Sequence, residues 1–302
     1  MGASITRGNI PSLLRPGLHA VFFDYHTYPD EWKDIFSINY SHKAVELEVE
    51  MKMLGLAQMK EEGASVFYDT MGQRNVTSYL HKYFAIGYII TRASILDNLY
   101  KERFPAATRS LKESLRQVKN IQGAAILNNG FSTDYPIGDL QPLFSRSHPV
   151  ENGLVANTFP IPTQLNETSL QDAIIGTQIF RNASGYLCIN KPIKLHVPPQ
   201  LQFTADVLLG SRFRPGTANN DINAIHNMGI IRDGYRVNNY LTSPSAWFIQ
   251  TDNANGFKYF EREKLDIDMF TDIDTDNYKV RAMERYSFGV SDFRATFGSP
   301  GL

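Results

Sequence analysis

The chain has 302 residues, 42% hydrophobic and 20% charged, and its 30 basic and 31 acidic residues leave a net charge of −1. That composition excludes a disordered chain and suits one large domain or two interleaved subdomains with a substantial core. It also excludes an extended nucleic-acid-binding surface, which would need a basic excess, so contact with DNA is expected to be weak and non-specific.

Residues 1–41 read as an irregular arm. Pro11, Pro16 and Pro29 interrupt any long element, yet Leu13, Leu14, Leu18, Val21, Phe22, Phe23, Trp32 and Phe36 make the arm apolar. It has no core of its own and is expected to lie on something else. Next, Val45, Leu47, Val49, Met51 and Met53 alternate with Glu46, Glu48, Glu50 and Lys52, the period of two of a strand. A second β-rich stretch, residues 76–91, places Leu80, Phe84, Ile86, Tyr88 and Ile90 on one face. The segment between, with Gly55, Gly63 and Gly72, reads as polar and mobile. Together these predict a hairpin of roughly fifty residues, which is marginal alone in water and implies a partner surface. Glu46, Glu48 and Glu50 would repel one another on an isolated strand and are expected to meet Lys or Arg of a neighbouring subunit.

A helical region is predicted over residues 92–128. Pro105 opens its second part, about 35 Å long at about 1.5 Å per residue. Leu111, Leu115, Val118, Ile121 and Ala125 form its apolar face, with Lys112, Glu113, Arg116 and Lys119 off that face. Asn128-Asn129-Gly130 is expected to stop it with a left-handed cap. Residues 136–162 read as loop. Thr168 with Gln171 predicts a capping box for a helix carrying Leu170, Ile174 and Ile179, ended by residues 182–185. A buried strand at 193–197, a helix opened by Pro198-Pro199 and ended by Gly210, and a loop around Pro215-Gly216 follow. The end reads as β. Strands at 247–249 and 257–260 flank an Asn255-Gly256 hairpin signal, and residues 287–289 separate further strands at 278–286 and 292–297. The sum is an α+β chain.

Catalytic and cofactor motifs are missing. There is no Gly-x-Gly-x-x-Gly, no Gly-x-x-x-x-Gly-Lys and no Gly-x-Ser-x-Gly. No two of the histidines (His19, His26, His42, His81, His148, His196, His226) stand four apart. Cys188 is the only cysteine, which excludes a thiolate cluster and an internal disulfide framework and fits a reducing cytosol. Asp272, Asp274 and Asp276 begin like a calcium loop, but Asn277 replaces the needed Gly and Met283 stands at the last ligand position, so the run reads as a solvated turn. The sequons at Asn39, Asn75, Asn166 and Asn182 read as accidental, because nothing resembles a secretion signal or a membrane span. No catalytic, cofactor or metal site and no membrane partner are expected.

Several strings carry a resemblance: FKYFERE at 257–263, ERYSFGVSDFRATFGSP at 284–300, VPPQLQFTA at 197–205, PGTANNDIN at 215–223, NNYLTSPSAWF at 238–248 and NIQGAAILNNGF at 120–131. They resemble tailed-bacteriophage major capsid proteins with the Hong Kong 97-type fold and, in length and in several strings, are similar to the Mu-like major head subunit branch. The likeness covers residues 90–302 by motif and 42–90 by pattern, with no motif in the first 40 residues.

The resemblance implies an N-terminal arm (1–41), an extended hairpin or E-loop (42–91), a peripheral (P) domain with a spine helix (92–135), an axial (A) domain (136–255) and P-domain return strands (256–302). It implies a non-enzymatic coat subunit, made in the bacterial cytoplasm, that assembles into hexamers and pentamers of an icosahedral head around double-stranded DNA. Val45, Glu46, Leu47, Glu48, Val49, Glu50, Met51, Met53, Phe22, Phe23 and Trp32 are the candidate inter-subunit residues. Portal, a separate scaffolding protein and a decoration protein are the implied partners; too few residues precede the hairpin for a built-in scaffold. Relatives form Lys–Asn crosslinks, and Lys52 and Lys60 lie in the right region. No string identifies the acceptor, so crosslinking is not expected. An encapsulin-type nanocompartment shell is the alternative.

Overall fold

Two four-stranded sheets meet along the C-terminal half of one long helix, and a two-stranded hairpin forms a separate sheet beside them. The computed structural model describes residues 22, 29–96, 100–151, 153–213 and 221–302. Most of the arm, Phe23 included, and the loop around Pro215-Gly216 lie outside these residues. In chain order, a 3-10 turn (Glu31–Asp34) leads to β1 (Ser37–Tyr40), β2 (Val45–Lys52), β3 (Gly72–Leu80) and β4 (Lys82–Ile90), then to α1 (Arg92–Leu96) and the long α2 (Tyr100–Asn128). The short pair β5 (His148–Val150) and β6 (Gly153–Val155) precedes α3 (Glu167–Gln178), β7 (Pro192–Val197), α4 (Gln202–Gly210), α5 (Ala224–Met228) and β8 (Tyr235–Val237). The chain closes with β9 (Trp247–Thr251), β10 (Phe257–Thr271), β11 (Tyr278–Val290) and β12 (Thr296–Ser299).

One sheet has the order β1-β10-β11-β4, the other β12-β9-β7-β8, while β2 pairs only with β3. The long β10–β11 hairpin buries Ile267, Met269, Val280 and Ala282 against Leu111 and Leu115 of α2, and Phe22 joins that cluster. A second cluster joins the sheets: Trp32, Ile35 and Phe36 pack with Leu127 of α2, Phe144, Phe248 of β9, and Tyr259 and Tyr286 of the long hairpin. The third fills the space between α3 and the second sheet.

Pairing partners, which no local pattern reveals, account for most departures from the expected elements. The β-rich stretch at 76–91 is two strands in two sheets, because β3 pairs with β2 whereas β4 pairs with β11, and the chain changes partner at His81. Strands β9 and β10 do not form a hairpin: the Asn255-Gly256 turn passes the chain from one sheet to the other. Gly256 is required there because a Cβ would meet Ala295 Cβ at 2.2 Å. Strand β11 continues through residues 287–289, and a 3-10 turn capped by Asp292 precedes β12.

The helices differ in detail. Pro105 lies inside α2 instead of opening it. Gly130 has no left-handed backbone; it is glycine because a Cβ would meet the Phe144 ring at 2.6 Å. The capping box of α3 is Asn166 with Ser169, two residues before the expected pair, and Ile179 is the exposed C-cap. Ile121 of α2 is half exposed, whereas Lys119 and Asn120 face inward. Periodicity sorts charge from apolarity and misses a cation whose partner is buried.

Candidate assembly surface

The β2–β3 hairpin is built inside out. Its apolar residues Val45, Leu47, Val49 and Met51 point to solvent, and Leu47 is 63% exposed. The cross-strand pairs Val45–Leu80 and Val49–Val76 continue that open apolar face on β3. The alternate residues Glu46, Glu48, Glu50 and Lys52 face the body of the chain and are half-buried. Since side chains alternate across a strand, docking the charged face forces the apolar face outward.

The body supplies a partner for each charge. Lys258 Nζ of β10 lies 2.6 Å from both carboxylate oxygens of Glu48, and the Ser291 hydroxyl, itself hydrogen-bonded to Tyr79, donates to the same group. Glu50 accepts from Arg294 Nη1 at 3.0 Å and Asn75 Nδ2 at 2.7 Å. Glu46 accepts from the Ser41 hydroxyl at 2.7 Å and Lys43 at 3.0 Å, and these bonds hold its carboxyl below the usual range. Lys52 reaches Glu151 at 2.6 Å. Arg74 of β3 donates to the carbonyls of Ala183 and Pro149 at 2.7 and 2.9 Å. The expectation that the glutamates wait for a neighbour's cations is therefore corrected: Lys43, Lys258 and Arg294 of the same chain neutralise them.

Arg294 holds this arrangement together. Its side chain is buried between Glu50 and Asp292, and its Nε donates to the Arg181 carbonyl at 2.5 Å. Burial opposes its charge, but the two carboxylates outweigh burial and raise its pKa. At the hairpin's root, His81 bridges the Ser41 and Ser287 hydroxyls at 3.2 and 3.0 Å. Burial lowers the His81 pKa, Arg285 and Arg262 add to the shift, and Glu46 opposes it.

Beyond the strands, residues 53–71 are far from polar. Met53, Leu54, Leu56, Val66, Phe67 and Met71 are exposed, and Met59 and Tyr68 reach 94% and 86%. Apart from Met53, these residues carry no local pattern that marks them, and Lys258 and Arg294 reach their partners from more than 200 positions away.

The arm residues belong elsewhere. Phe22 and Trp32 are 0% and 4% exposed, inside the chain's own clusters, and are not surface residues. Trp32 N donates to Asn120 Oδ1 at 3.3 Å, Asn120 Nδ2 donates to the Pro29 carbonyl, and a Cβ on Gly123 would meet Trp32 Cβ at 2.9 Å. The described end of the arm thus hooks onto α2. Beside it, Lys119 forms a short ion pair with buried Glu284 and sits over the rings of Trp32, Tyr259 and Tyr286 at 5.7, 5.5 and 4.9 Å.

Other polar clusters are spoken for. In the Asp272–Asn277 turn between β10 and β11, Asp272 pairs with Lys279 and Asp276 with Arg92, each at 2.7 Å. Among the described residues no group of His, Cys, Asp or Glu is placed to hold a metal ion, and no helix is long and apolar enough to cross a membrane.

Solved structures that share this fold are capsid and encapsulin chains. The capsid of the native GTA particle superposes with a TM-score of 0.58 over 90% of each chain at 13% identity. The capsid of phage XM1 gives 0.53 over 88% of this chain and 90% of its own, at 12% identity. The holo-encapsulin complex of Synechococcus elongatus gives 0.52 over 91% and 88%, at 11% identity. The fold is the Hong Kong 97-type capsid fold. The phage capsid protein family matches residues 75–298, and the chain belongs to that family. It is a capsid protein of an oligomeric phage-type shell and so a component of the virion. No curated protein sequence matches it.

Proposed function

We propose that the chain is the major head subunit of a tailed phage of the Mu-like branch, and that copies of it form hexamers and pentamers of an icosahedral head around double-stranded DNA. The observation that carries this reading is the inverted hairpin. A strand pair that spends its charges on its own subunit and exposes Val45, Leu47, Val49, Met51 and Met53 is complete only when another surface covers it. Obligate interfaces of this kind bury more than about 2,000 Å² and are largely apolar.

In this reading residues 1–41 are the arm, 42–91 the E-loop, 92–135 the P domain with α2 as spine helix, 136–255 the A domain and 256–302 the returning P-domain strands. The role is structural and not catalytic. Synthesis takes place in the bacterial cytoplasm; portal, a separate scaffolding protein and a decoration protein are the further partners, and DNA contact is weak, as the net charge of −1 suggests.

Electron microscopy of the purified chain tests the reading. Closed particles support it, and a monomer under every assembly condition removes it. A second reading, an encapsulin-type compartment, draws on the fold shared with the encapsulin complex. Nuclease-protected DNA inside particles from the native host favours the head; protein cargo favours the compartment.

A further inference from the structure

We propose that Met51, Met53, Met59 and Met71 of the hairpin form a modification site at which peroxides make methionine sulfoxides. A subunit so modified stays out of the shell until the sulfurs are reduced again. The inference rests on the shell reading above and adds a chemical control to the hairpin's open face. Four of the chain's eight methionines stand in this one stretch. All four are exposed, from Met51 at 45% to Met59 at 94%.

The outward face of β2 changes along its length. Val45, Leu47 and Val49 near the root give way to Met51, and Met53 follows where the strand ends. Met71 directly precedes Gly72, the partner of Lys52, so Met53 and Met71 leave the last pair of the ladder together. Aliphatic carbons are inert to peroxide and a thioether is not, so the reactive part of the face is the part farthest from the root. The chain's other sulfurs are placed differently. Met269 is buried in the core, Met283 is half-buried in β11, and Met228 is exposed on α5, outside the hairpin. Met1 lies outside the described residues. Burial raises the Cys188 pKa and so disfavours the thiolate, the form that oxidants attack.

The step needs only hydrogen peroxide. A sulfur lone pair attacks one peroxide oxygen, the O–O bond breaks, and the departing hydroxide takes the proton of the transferred hydroxyl. Sulfoxide and water result, with sulfur oxidised and peroxide reduced. Each sulfoxide sets a strong acceptor oxygen on a face that the shell must cover, and burying an acceptor without a donor is costly. Reductases reverse the step, one enzyme for each sulfur epimer. A dithiol is then oxidised to a disulfide and the oxygen leaves as water.

Peroxide treatment of the chain below its assembly concentration, in a Cys188→Ser background, tests this. Peptide mass spectrometry is expected to find sulfoxide at the four hairpin methionines before Met269, and particle yield is expected to fall several-fold. Both reductases with a dithiol are expected to restore it. With Met51→Leu, Met53→Leu, Met59→Leu and Met71→Leu together, yield is expected to be the same with and without peroxide, whatever its level. Met228→Leu alone is expected to stay peroxide-sensitive. Full yield from chains mapped as oxidised at all four positions would overturn the proposal and leave the shell reading intact. So would yield that does not recover once the sulfoxides are reduced, or an equal loss in the chain with four leucines. Failure of the untreated chain to form particles would remove both.

Discussion

Lys258 lies 2.6 Å from both carboxylate oxygens of Glu48, although 210 positions separate the two residues. This pair turns the charged face of β2 toward its own subunit, and with it turns Leu47 and Val49 outward. The sign of the whole surface follows from which side the glutamates take.

The outward face makes the first prediction. Leu47→Lys with Met51→Lys replaces two exposed side chains without touching the core, so chain stability should stay within about 0.5 kcal/mol. Assembly should fail. Chemical denaturation and light scattering report the two effects separately, and normal particles from this variant would remove the apolar face from the interface.

The inward face makes the second. Arg294 is buried between Glu50 and Asp292, so Arg294→Ala leaves two partly buried carboxylates without their cation and should cost about 3 kcal/mol. Glu50→Gln, which leaves Asp292 in place, should cost roughly 1.5 kcal/mol. Hydrogen exchange at residues 45–52 should accelerate in both. Unchanged exchange would show that the hairpin docks without these ions.

A third concerns Lys119 and Glu284. Removing one member of a buried pair costs about 3–5 kcal/mol, whereas replacing both by apolar groups is neutral or stabilising by about 1–4 kcal/mol. Lys119→Met should therefore be strongly destabilised at pH 7, and Lys119→Met with Glu284→Leu should regain or exceed parental stability. Burial raises the Glu284 pKa against the pull of Lys119. A folded pKa above the unfolded one gives stability that is full in acid and lost as pH rises through it. The defect of Lys119→Met should thus shrink as pH falls toward the ordinary carboxylate range, measured by urea midpoints across pH.

His196 works with the opposite sign. It is buried in β7, donates one bond from Nε2 to Gln250 Oε1 at 2.8 Å, and burial pushes its pKa down to about 4. The unfolded chain takes up a proton near the ordinary histidine value of about 6.5 and the folded chain does so later, so stability falls as pH drops between the two. At about 1.4 kcal/mol per unit the loss is about 3 kcal/mol. His196→Gln should flatten this slope in the same titration of urea midpoints.

Much of the fold was legible in the sequence. The alternation from Val45 to Lys52, the amphipathic run around Leu111 and Leu115 and the terminal strands each declare their period. The Asn255-Gly256 step makes a turn, but it joins two sheets and not the hairpin its residues predict, because Asn-Gly specifies a reversal and says nothing about which strand waits on the other side. Trp32 looks like an interface residue in sequence for a similar reason: an apolar arm with no partner in sequence has one in space, at Asn120 and Gly123.

The sequence by itself determined that the hairpin has one charged and one apolar face, since alternation is a covalent property of an extended chain. Which face meets the body was decided only by the tertiary structure. Lys258 and Arg294 reach β2 from strands and turns more than 200 positions away, and no local pattern carries information about a contact made by folding.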